Sequence, residues 1–598
     1  MRRSLSSIFF IMILLPSALF AQMNIMPFKD VRSGMKGIGK TVFNGTKVEE
    51  FQVEILGKLE NIGPKQNIII ARLSGGPLEE TGVLSGMSGS PIYIDGKLIG
   101  AAAFMWGFSK VPIAGITPIE EMLSIEERST KGQKRSGAVS LPSPEDISVL
   151  FSPERLKAFF KDPLAARNSA GRLQSDLTPI GLPLIVSGLS DDGFPEFRTL
   201  FAGTAFSPVQ GNTVTESTIE QRSKLEPGSA VAVQLAKGDI NISAVGTVTA
   251  VDGEKVLAFG HPFFNIGTID MPMSIARVET LLPSLSASFK IAGAAAEIGA
   301  FTEDRSSGIL GKLGQRSKTV PVRVEISDGK NPASYSFDII ENKLLTPVLL
   351  FSALNGILSS MEKDYGDATV SFKEGSLIKL SEGKTVNIAN LYSGDYTKFI
   401  STATLAYITY LLMDNEYSES RIEGINLLID YIDSKKLARI ERVWCDKSII
   451  RPGDKISLSV SVQPYRGKRF SEQIEIEVPE EVPPGRLTLE VGDAYMLSRI
   501  EAEEDMLVPR DFDHLIRLLN NLRTNDKIYL LFSKEDTGVL LEGVRLPNLP
   551  LSKSSVIIRP QTKGNYLVID RRIVMEEAIK TDYAVEGFKK IILEVVEK

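Results

Sequence analysis

Short apolar segments separated by glycine-bearing turns constrain the fold of this chain more than any other feature. In residues 51–55 apolar and polar side chains alternate, which is the period of a half-buried strand. Two Asp-Gly pairs, Asp95-Gly96 and Asp252-Gly253, each lie between two apolar runs. Asp-Gly favours the two-residue type I′ turn of a β-hairpin. The sequence therefore predicts a mainly β protein.

Length and composition limit the classes of function. The 598 residues are enough for roughly four domains at about 150 residues each. Lys and Arg total 68 against 74 Asp and Glu, a net charge of −6, so we expect no nucleic-acid partner. The single cysteine, Cys445, cannot form an internal disulfide, and with only two histidines a metal site is not expected. We also expect no cofactor.

Polar and turn-rich stretches divide the chain into regions. After an N-terminal segment of 1–21, we expect a β-domain at 27–125 and a linker at 126–180, in which Ser152-Pro153 begins a helix. A second β-region follows at 181–345. The remaining regions are mixed strands and helix at 346–436, a β-sandwich at 437–500 with Trp444 in its core, and a mixed C-terminal region at 501–598.

The first 21 residues have the pattern of a secretory signal peptide. Arg2 and Arg3 precede an apolar run over residues 8–21, and Ala18 and Ala21 close it. The run is shorter than the roughly 20 residues that span a bilayer, although an uncleaved anchor is the alternative. No cysteine follows it directly, which excludes lipoprotein anchoring. We expect a periplasmic or secreted protein whose only membrane contact would be through an uncleaved signal segment.

Residues 86–91, with the sequence GMSGSP, have the composition of a nucleophile turn. Small residues on both sides of Ser88 allow a tight turn and leave its hydroxyl unshielded. The amide groups of Gly86 and Ser88 could point at one spot and hold a developing oxyanion. The alternative is a glycine-rich loop that only joins two strands.

A histidine acting as general base in this chain must be His261 or His514. His261 follows a predicted strand, and Pro262 restricts it to extended geometry. The alternative is a loop histidine that contacts a backbone carbonyl. His514 lies near a helix start, where a capping or packing role is expected. A lysine base such as Lys97 or Lys110 is a further alternative, because Ser-Lys dyads exist.

These residues resemble the SpoIVB-type serine peptidases. The resemblance rests on residues 86–92, on the continuation 95–101 (DGKLIGA), and on Phe259-Gly260-His261 after a strand. It implies a trypsin-like double β-barrel, with the Ser-bearing half at 27–125 and the His-bearing half at 181–345. It also implies hydrolysis of peptide bonds in protein substrates through a Ser-His acyl-enzyme mechanism.

The chain departs from the family pattern in two ways. In the family the His half precedes the Ser half, whereas here Ser88 precedes His261. Triads occur in several chain orders because only the folded geometry matters. The family also places an aspartate just ahead of the nucleophile turn, and residues 72–76 contain no acid. A dyad could work without one, and the other acids that could replace it are Glu79, Glu80, Asp252 and Asp270.

Two functions are consistent with these features. The first is an exported serine endopeptidase that uses Ser88 and His261, with a protein or peptide as substrate. The second is a non-catalytic envelope binding or scaffold protein built on a degenerate peptidase fold, which the missing aspartate and the long C-terminal extension favour. The distance from the Ser88 hydroxyl oxygen to a His261 nitrogen distinguishes the two: roughly 3–4 Å supports catalysis, and more than ~8 Å without a plausible closure favours binding.

Overall fold

A computed structural model gives the structure of most of the chain. The described residues are 23–63, 66–130, 147–161, 177–191, 193–202, 204–211, 225–361, 367–503, 509–541, 544–546, 553 and 566–597. The predicted signal peptide lies outside the described residues, as do residues 131–146 and 162–176 of the predicted linker.

The first sheet forms a closed barrel. Its strands are β1 (Lys36–Val42), β2 (Val48–Gly63), β3 (Gln66–Ser74), β4 (Pro91–Ile94), β5 (Lys97–Trp106), β6 (Ile113–Pro118) and β7 (Leu177–Pro179). Hydrogen-bonded pairs run in the order β4-β1-β2-β3-β6-β5, and β5 returns to β4, so six strands close a ring with β7 at its side. Asp95 and Gly96 join β4 to β5 with φ angles of 50° and 72°, which confirms the predicted type I′ turn. Helices α1 (Leu78–Thr81) and α2 (Ile119–Thr130) flank the sheet.

The second sheet contains a second closed barrel. Its strands are β8 (Leu182–Ser187), β9 (Phe206–Gln210), β10 (Ala230–Gly238), β11 (Asn241–Asp252), β12 (Lys255–Ala258), β13 (Gly267–Leu282), β14 (Phe289–Arg305), β15 (Gly308–Leu313), β16 (Thr319–Ser327), β17 (Pro332–Ile340), β18 (Ala368–Phe372), β19 (Leu377–Leu380), β20 (Thr385–Asn387), β21 (Asn390–Gly394) and β22 (Ile422–Ile432). Strands β10, β13, β14, β15, β12 and β11 pair in that order, and β11 closes on β10. The molecule therefore has the predicted double β-barrel.

The turn between β11 and β12 differs by one residue from the predicted one. Asp252 pairs with Lys255, so Gly253 and Glu254 are the two central residues. Gly253 alone has a positive φ, 57°, whereas Asp252 is still part of the strand. A positive φ at only the first central position is the pattern of a type II′ turn, which also requires glycine there.

The helices of the second half pack on its sheet. They are α3 (Pro153–Lys161), α4 (Gly193–Leu200), α5 (Leu345–Ser359) and α6 (Thr397–Met413), and α7 (Ala494–Glu503) and α8 (Phe512–Asn520) follow. Short 3-10 helices are Phe28–Asp30, Ile147–Phe151 and Ser381–Gly383. Most side chains of α5 and α6 are buried, and the buried residues occur on every face of each helix. In the described part of the chain, no helix is long and apolar enough to cross a membrane.

Two further sheets form a sandwich near the C-terminus. Their strands are β23 (Leu437–Cys445), β24 (Ile449–Ile450), β25 (Lys455–Pro464), β26 (Phe470–Glu477), β27 (Gly485–Gly492), β28 (Lys527–Leu541), β29 (Val544–Leu546), β30 (Tyr566–Lys580), β31 (Ala584–Glu586) and β32 (Phe588–Val595). Strands after residue 500 thus supply part of this sandwich core. The prediction for Trp444 was wrong, since its side chain is 63% exposed. A bulge between Ile440 and Arg442 turns Val443 and Cys445 inward and Trp444 outward.

Packing inside the first barrel predicts that alanine substitutions at two glycines differ in their effect on stability. A Cβ on Gly39 would overlap the ring of Phe51 and lie 2.8 Å from Ile92, whereas a Cβ on Gly57 would meet open space. We expect G39A to destabilise the barrel by about 1–3 kcal/mol through overpacking, and G57A to have little effect. Hydrogen exchange of peptides from β1 and β2 measures how far each variant loses protection in these strands. Equal protection in G39A and G57A would contradict this account.

Candidate functional site

The turn that carries Ser88 connects α1 to β4. Gly89 has φ 96°, a left-handed conformation, and a Cβ there would overlap the carbonyl of Thr247. The hydroxyl of Ser90 donates to the Met87 carbonyl at 2.6 Å and closes the turn on itself. The turn is therefore tight because its backbone lies directly against the second barrel.

Strand β11 of the second barrel holds this turn by hydrogen bonds. The hydroxyl of Thr247 donates to the Gly86 carbonyl at 3.0 Å, and that of Thr249 donates to the Gly89 carbonyl at 2.8 Å. The amide of Thr247 also donates to the Ser88 carbonyl at 2.8 Å. Thr247 and Thr249 are two residues apart and so share one face of the strand.

The segment before His261 makes the reciprocal contacts. Phe259 and Gly260 both have φ 72°, and a bulky side chain in this region costs on the order of 1–3 kcal/mol. The hydroxyl of Ser88 donates to the Phe259 carbonyl at 2.6 Å, and that of Thr117 donates to the Gly260 carbonyl at 2.6 Å. Both hydroxyls belong to the first barrel. Each half of the molecule thus holds the candidate catalytic segment of the other.

The imidazole of His261 is fully buried between two backbone carbonyls. Nδ1 lies 2.8 Å from the Pro262 oxygen and Nε2 lies 3.1 Å from the Ile180 oxygen. Burial lowers the pKa of His261 to about 4, although both carbonyls act in the opposite direction. The ring is therefore neutral at pH 7. A neutral ring donates from one nitrogen only, whereas an imidazolium would donate to both carbonyls.

The structure brings the segments of Ser88 and His261 together. Both side chains are fully buried, and each makes its hydrogen bonds to backbone carbonyls. The Gly86 amide, a predicted oxyanion donor, donates to the Gly181 carbonyl at 2.9 Å. We call this arrangement closed, because Ser88, His261 and the Gly86 amide are all bonded to backbone carbonyls. Proton transfer from Ser88 to His261 and the oxyanion roles of Gly86 and Ser88 stay predictions.

The acids considered from the sequence lie away from the imidazole. Carbonyl oxygens occupy both ring nitrogens of His261, so within the described residues no carboxylate is its direct hydrogen-bond partner. Asp270 accepts the Lys318 amide at 3.0 Å. The others are at exposed or half-exposed positions of α1 and of the β11–β12 turn: Glu79, Glu80 and Asp252.

The other candidate bases lie elsewhere. Lys97 and Lys110 are exposed on the first barrel. His514 lies in the first turn of α8, where its Nδ1 accepts the Arg510 amide at 3.2 Å. This agrees with the capping role expected for His514. No group of three His, Cys, Asp or Glu side chains suited to a metal ion occurs among the described residues.

Sequence reasoning missed two buried charged residues beside the site, Asp304 and Lys290. Both lie on β14 and are fully buried. Nζ of Lys290 lies 2.8 Å from the hydroxyl oxygen of Thr41, and its aliphatic stem lies against Gly86. Burial lowers the pKa of Lys290 to about 7 and raises that of Asp304 to about 6. The available signal was a lone lysine in the otherwise apolar run 289–296.

The buried amine of Lys290 predicts a pH dependence of stability. Its pKa is about 7 in the folded chain against an ordinary 10.5, so the unfolded chain binds more protons between pH 7 and 10.5. The free energy of unfolding should then rise with pH across this window, by up to about 1.4 kcal/mol per unit. We expect K290M to remove this slope and to be more stable than the parent at pH 7.

Urea unfolding at several pH values measures the effect. K97M is the matched control because Lys97 is exposed, and it should keep the parental slope. An unchanged slope in K290M would show that the amine is charged in the folded chain.

Comparison with known proteins gives a match for the first barrel only. Residues 16–123 match the family SpoIVB peptidase S55, a segment that contains Ser88 and nearly the whole first barrel. Searches of curated proteins and of solved structures gave no match. The match confirms the resemblance predicted from residues 86–92. Residues 16–123 therefore carry the sequence of a SpoIVB-type serine peptidase domain, and His261 lies outside the matched segment.

Proposed function

We propose that this protein is an exported serine endopeptidase that cleaves protein substrates with Ser88 as nucleophile and His261 as general base. One observation carries the proposal. The hydroxyl of the family-matched turn donates to the Phe259 carbonyl at 2.6 Å, two residues before the imidazole. Contact between the segments that carry the nucleophile and the base is a precondition for the Ser-His hydrogen bond that acyl transfer needs.

The proposed reaction begins with a local opening of the closed site. The Ser88 hydroxyl exchanges its bond to Phe259 for one to Nε2 of His261, which leaves the Ile180 carbonyl. Oγ of Ser88 then attacks the substrate carbonyl carbon while Nε2 takes the hydroxyl proton. The imidazolium returns this proton to the leaving amine, and a water molecule hydrolyses the acyl-enzyme by the same steps.

Oxyanion stabilisation also requires the opening. The Gly86 amide donates to the Gly181 carbonyl in the closed arrangement, and Gly181 follows directly after Ile180, the residue that faces His261. Displacement of residues 180–181 therefore releases an oxyanion donor and the base Nε2 together. Movement of residues 180–181 would therefore convert the closed site into one that is competent for catalysis.

The second candidate function is a non-catalytic binding or scaffold protein. It is favoured by the same closed geometry, in which the Ser88 hydroxyl, the His261 ring and the Gly86 amide all contact backbone carbonyls. In that case the hydroxyl serves only to join the two barrels. Reactivity of Ser88 separates the two functions.

Labelling with a fluorophosphonate probe tests the proposal. We expect the full chain to be labelled at Ser88, as located by peptide mass spectrometry. S88A should remove the label, and H261A should slow labelling by about 10³-fold or more, the size of effect seen when a general base is deleted. S109A is the control, because Ser109 is an exposed serine of the first barrel, and this variant should remain labelled. A folded parent chain that stays unlabelled under all conditions supports the scaffold function instead.

Export is part of the proposal and rests on residues 1–21. Arg2, Arg3 and the apolar run over residues 8–21 predict cleavage after Ala21. Expression of the full chain in a Gram-negative host, followed by fractionation and N-terminal sequencing, should give a periplasmic protein that begins near Gln22. A variant with Arg2 and Arg3 changed to Glu should remain in the cytoplasm. A full-length cytoplasmic product from the parent chain would contradict export.

A further inference from the structure

The loop after His261 is folded around one carboxylate. Asp304 is fully buried on β14. Its Oδ1 accepts the Phe263 amide at 2.8 Å, and its Oδ2 accepts the amides of Phe264 at 2.7 Å and Ile266 at 3.2 Å. Three backbone amides thus converge on a single side chain, in a loop that would otherwise leave them unpaired.

One peptide group joins this carboxylate to the imidazole. The amide of Phe263 and the carbonyl of Pro262 belong to the same peptide unit. The amide donates to Oδ1 of Asp304 at 2.8 Å, and the carbonyl oxygen lies 2.8 Å from Nδ1 of His261. A carboxylate that accepts from an amide polarises that peptide unit and makes its carbonyl oxygen a stronger acceptor.

We infer that Asp304 is the positioning residue of His261 and acts through the Pro262–Phe263 peptide group. It serves the purpose of the orienting acid that the sequence lacks ahead of Ser88. In triads, that acid holds the proton on Nδ1 and stabilises the imidazolium. The strengthened Pro262 carbonyl does both here, and it leaves the lone pair on Nε2, the atom that must receive the Ser88 proton. The inference rests on the proposed function for its catalytic consequence only.

The competing tautomer has the weaker acceptor. With the proton on Nε2, the ring would donate to the Ile180 carbonyl, whose oxygen lies 3.1 Å away against 2.8 Å for that of Pro262. The amide in the same peptide unit as the Ile180 carbonyl is that of Gly181, and among the described residues it donates to no carboxylate. Of the two peptide units, only the Pro262–Phe263 unit therefore donates a hydrogen bond to a carboxylate. Asp304 is expected to favour the Nδ1-H tautomer for this reason.

Nitrogen NMR of the chain labelled with ¹⁵N-histidine measures the tautomer directly. The chain has only two histidines, and H514Q assigns the signals. We expect the Nδ1-H form of His261 in the parent chain and a shift toward the Nε2-H form in D304N. D270N is the matched control, since Asp270 lies in the same sheet and contacts the Lys318 amide. An unchanged tautomer in folded D304N would overturn the inference.

Acidification of the parent chain repeats the test without a substitution. Burial raises the pKa of Asp304 to about 6, whereas that of His261 is about 4, so at pH 5 the acid is largely protonated while the ring stays neutral. On β14 the neighbouring charged groups are Glu303 and Arg305, which pair with each other at 2.6 Å. The paired positions on β13 and β15 are the neutral Gly267 and Ile309. The tautomer should therefore shift between pH 7.5 and 5.

Fluorophosphonate labelling gives the catalytic readout. D304N should slow labelling of Ser88 by about 10–100-fold, the range found when the hydrogen-bond partner of a metal-bound histidine is removed. D270N should leave the rate unchanged. If the parent chain is not labelled, the proposed function fails while the NMR result still decides the role of Asp304. If the parent chain is labelled and D304N changes neither rate nor tautomer, the inference alone fails.

Discussion

Hydroxyl groups that donate to backbone carbonyls join the two barrels, and the placement of both candidate catalytic side chains depends on these bonds. Ser88 and Thr117 reach from the first barrel to the carbonyls of Phe259 and Gly260, while Thr247 reaches back to Gly86. A buried carbonyl without a partner costs free energy comparable to a lost hydrogen bond, so these bonds must remain formed while the junction is closed to water. The turn of Ser88 is therefore defined by both halves and not by the family-matched half alone.

Burial at this junction moves three titratable groups toward their neutral forms. The pKa of His261 falls to about 4, that of Lys290 falls to about 7, and that of Asp304 rises to about 6. Desolvation is the largest cause in each case, because a charge is less stable in a dry interior than in water. Shifted pKa values of this kind are typical of functional sites, and buried structural groups show them too.

The sequence predicted the elements that depend on local patterns. The alternation in residues 51–55, the turn at Asp95-Gly96 and the helix that starts at Pro153 all follow from the chemistry of neighbouring residues, and all three are present. Trp444 was misplaced because one extra residue in a bulge reverses the inward face of a strand, and no local signal marks it.

The site was only partly predictable for a related reason. The motifs around Ser88 and His261 are local and could be found, whereas the partner of an imidazole is set by tertiary packing. Asp304 lies 43 positions after His261 and reaches it through a peptide group. A search for acids near the nucleophile turn therefore could not find it. In the sequence Asp304 stands between Glu303 and Arg305 at the end of β14, and nothing in that charged run marks it as buried.

The closed geometry also bears on how a base with so low a pKa could act. A pKa of about 4 makes the buried imidazole a weak base, and desolvation is the dominant cause. Any opening that admits a substrate beside Nε2 also admits polar groups, which lessens desolvation and raises the pKa toward its ordinary value of 6.5. Base strength and access to Ser88 would therefore increase in the same movement. Under the proposed role of Asp304, the Pro262 carbonyl would keep the proton on Nδ1 during this movement, and only Nε2 would change its partner.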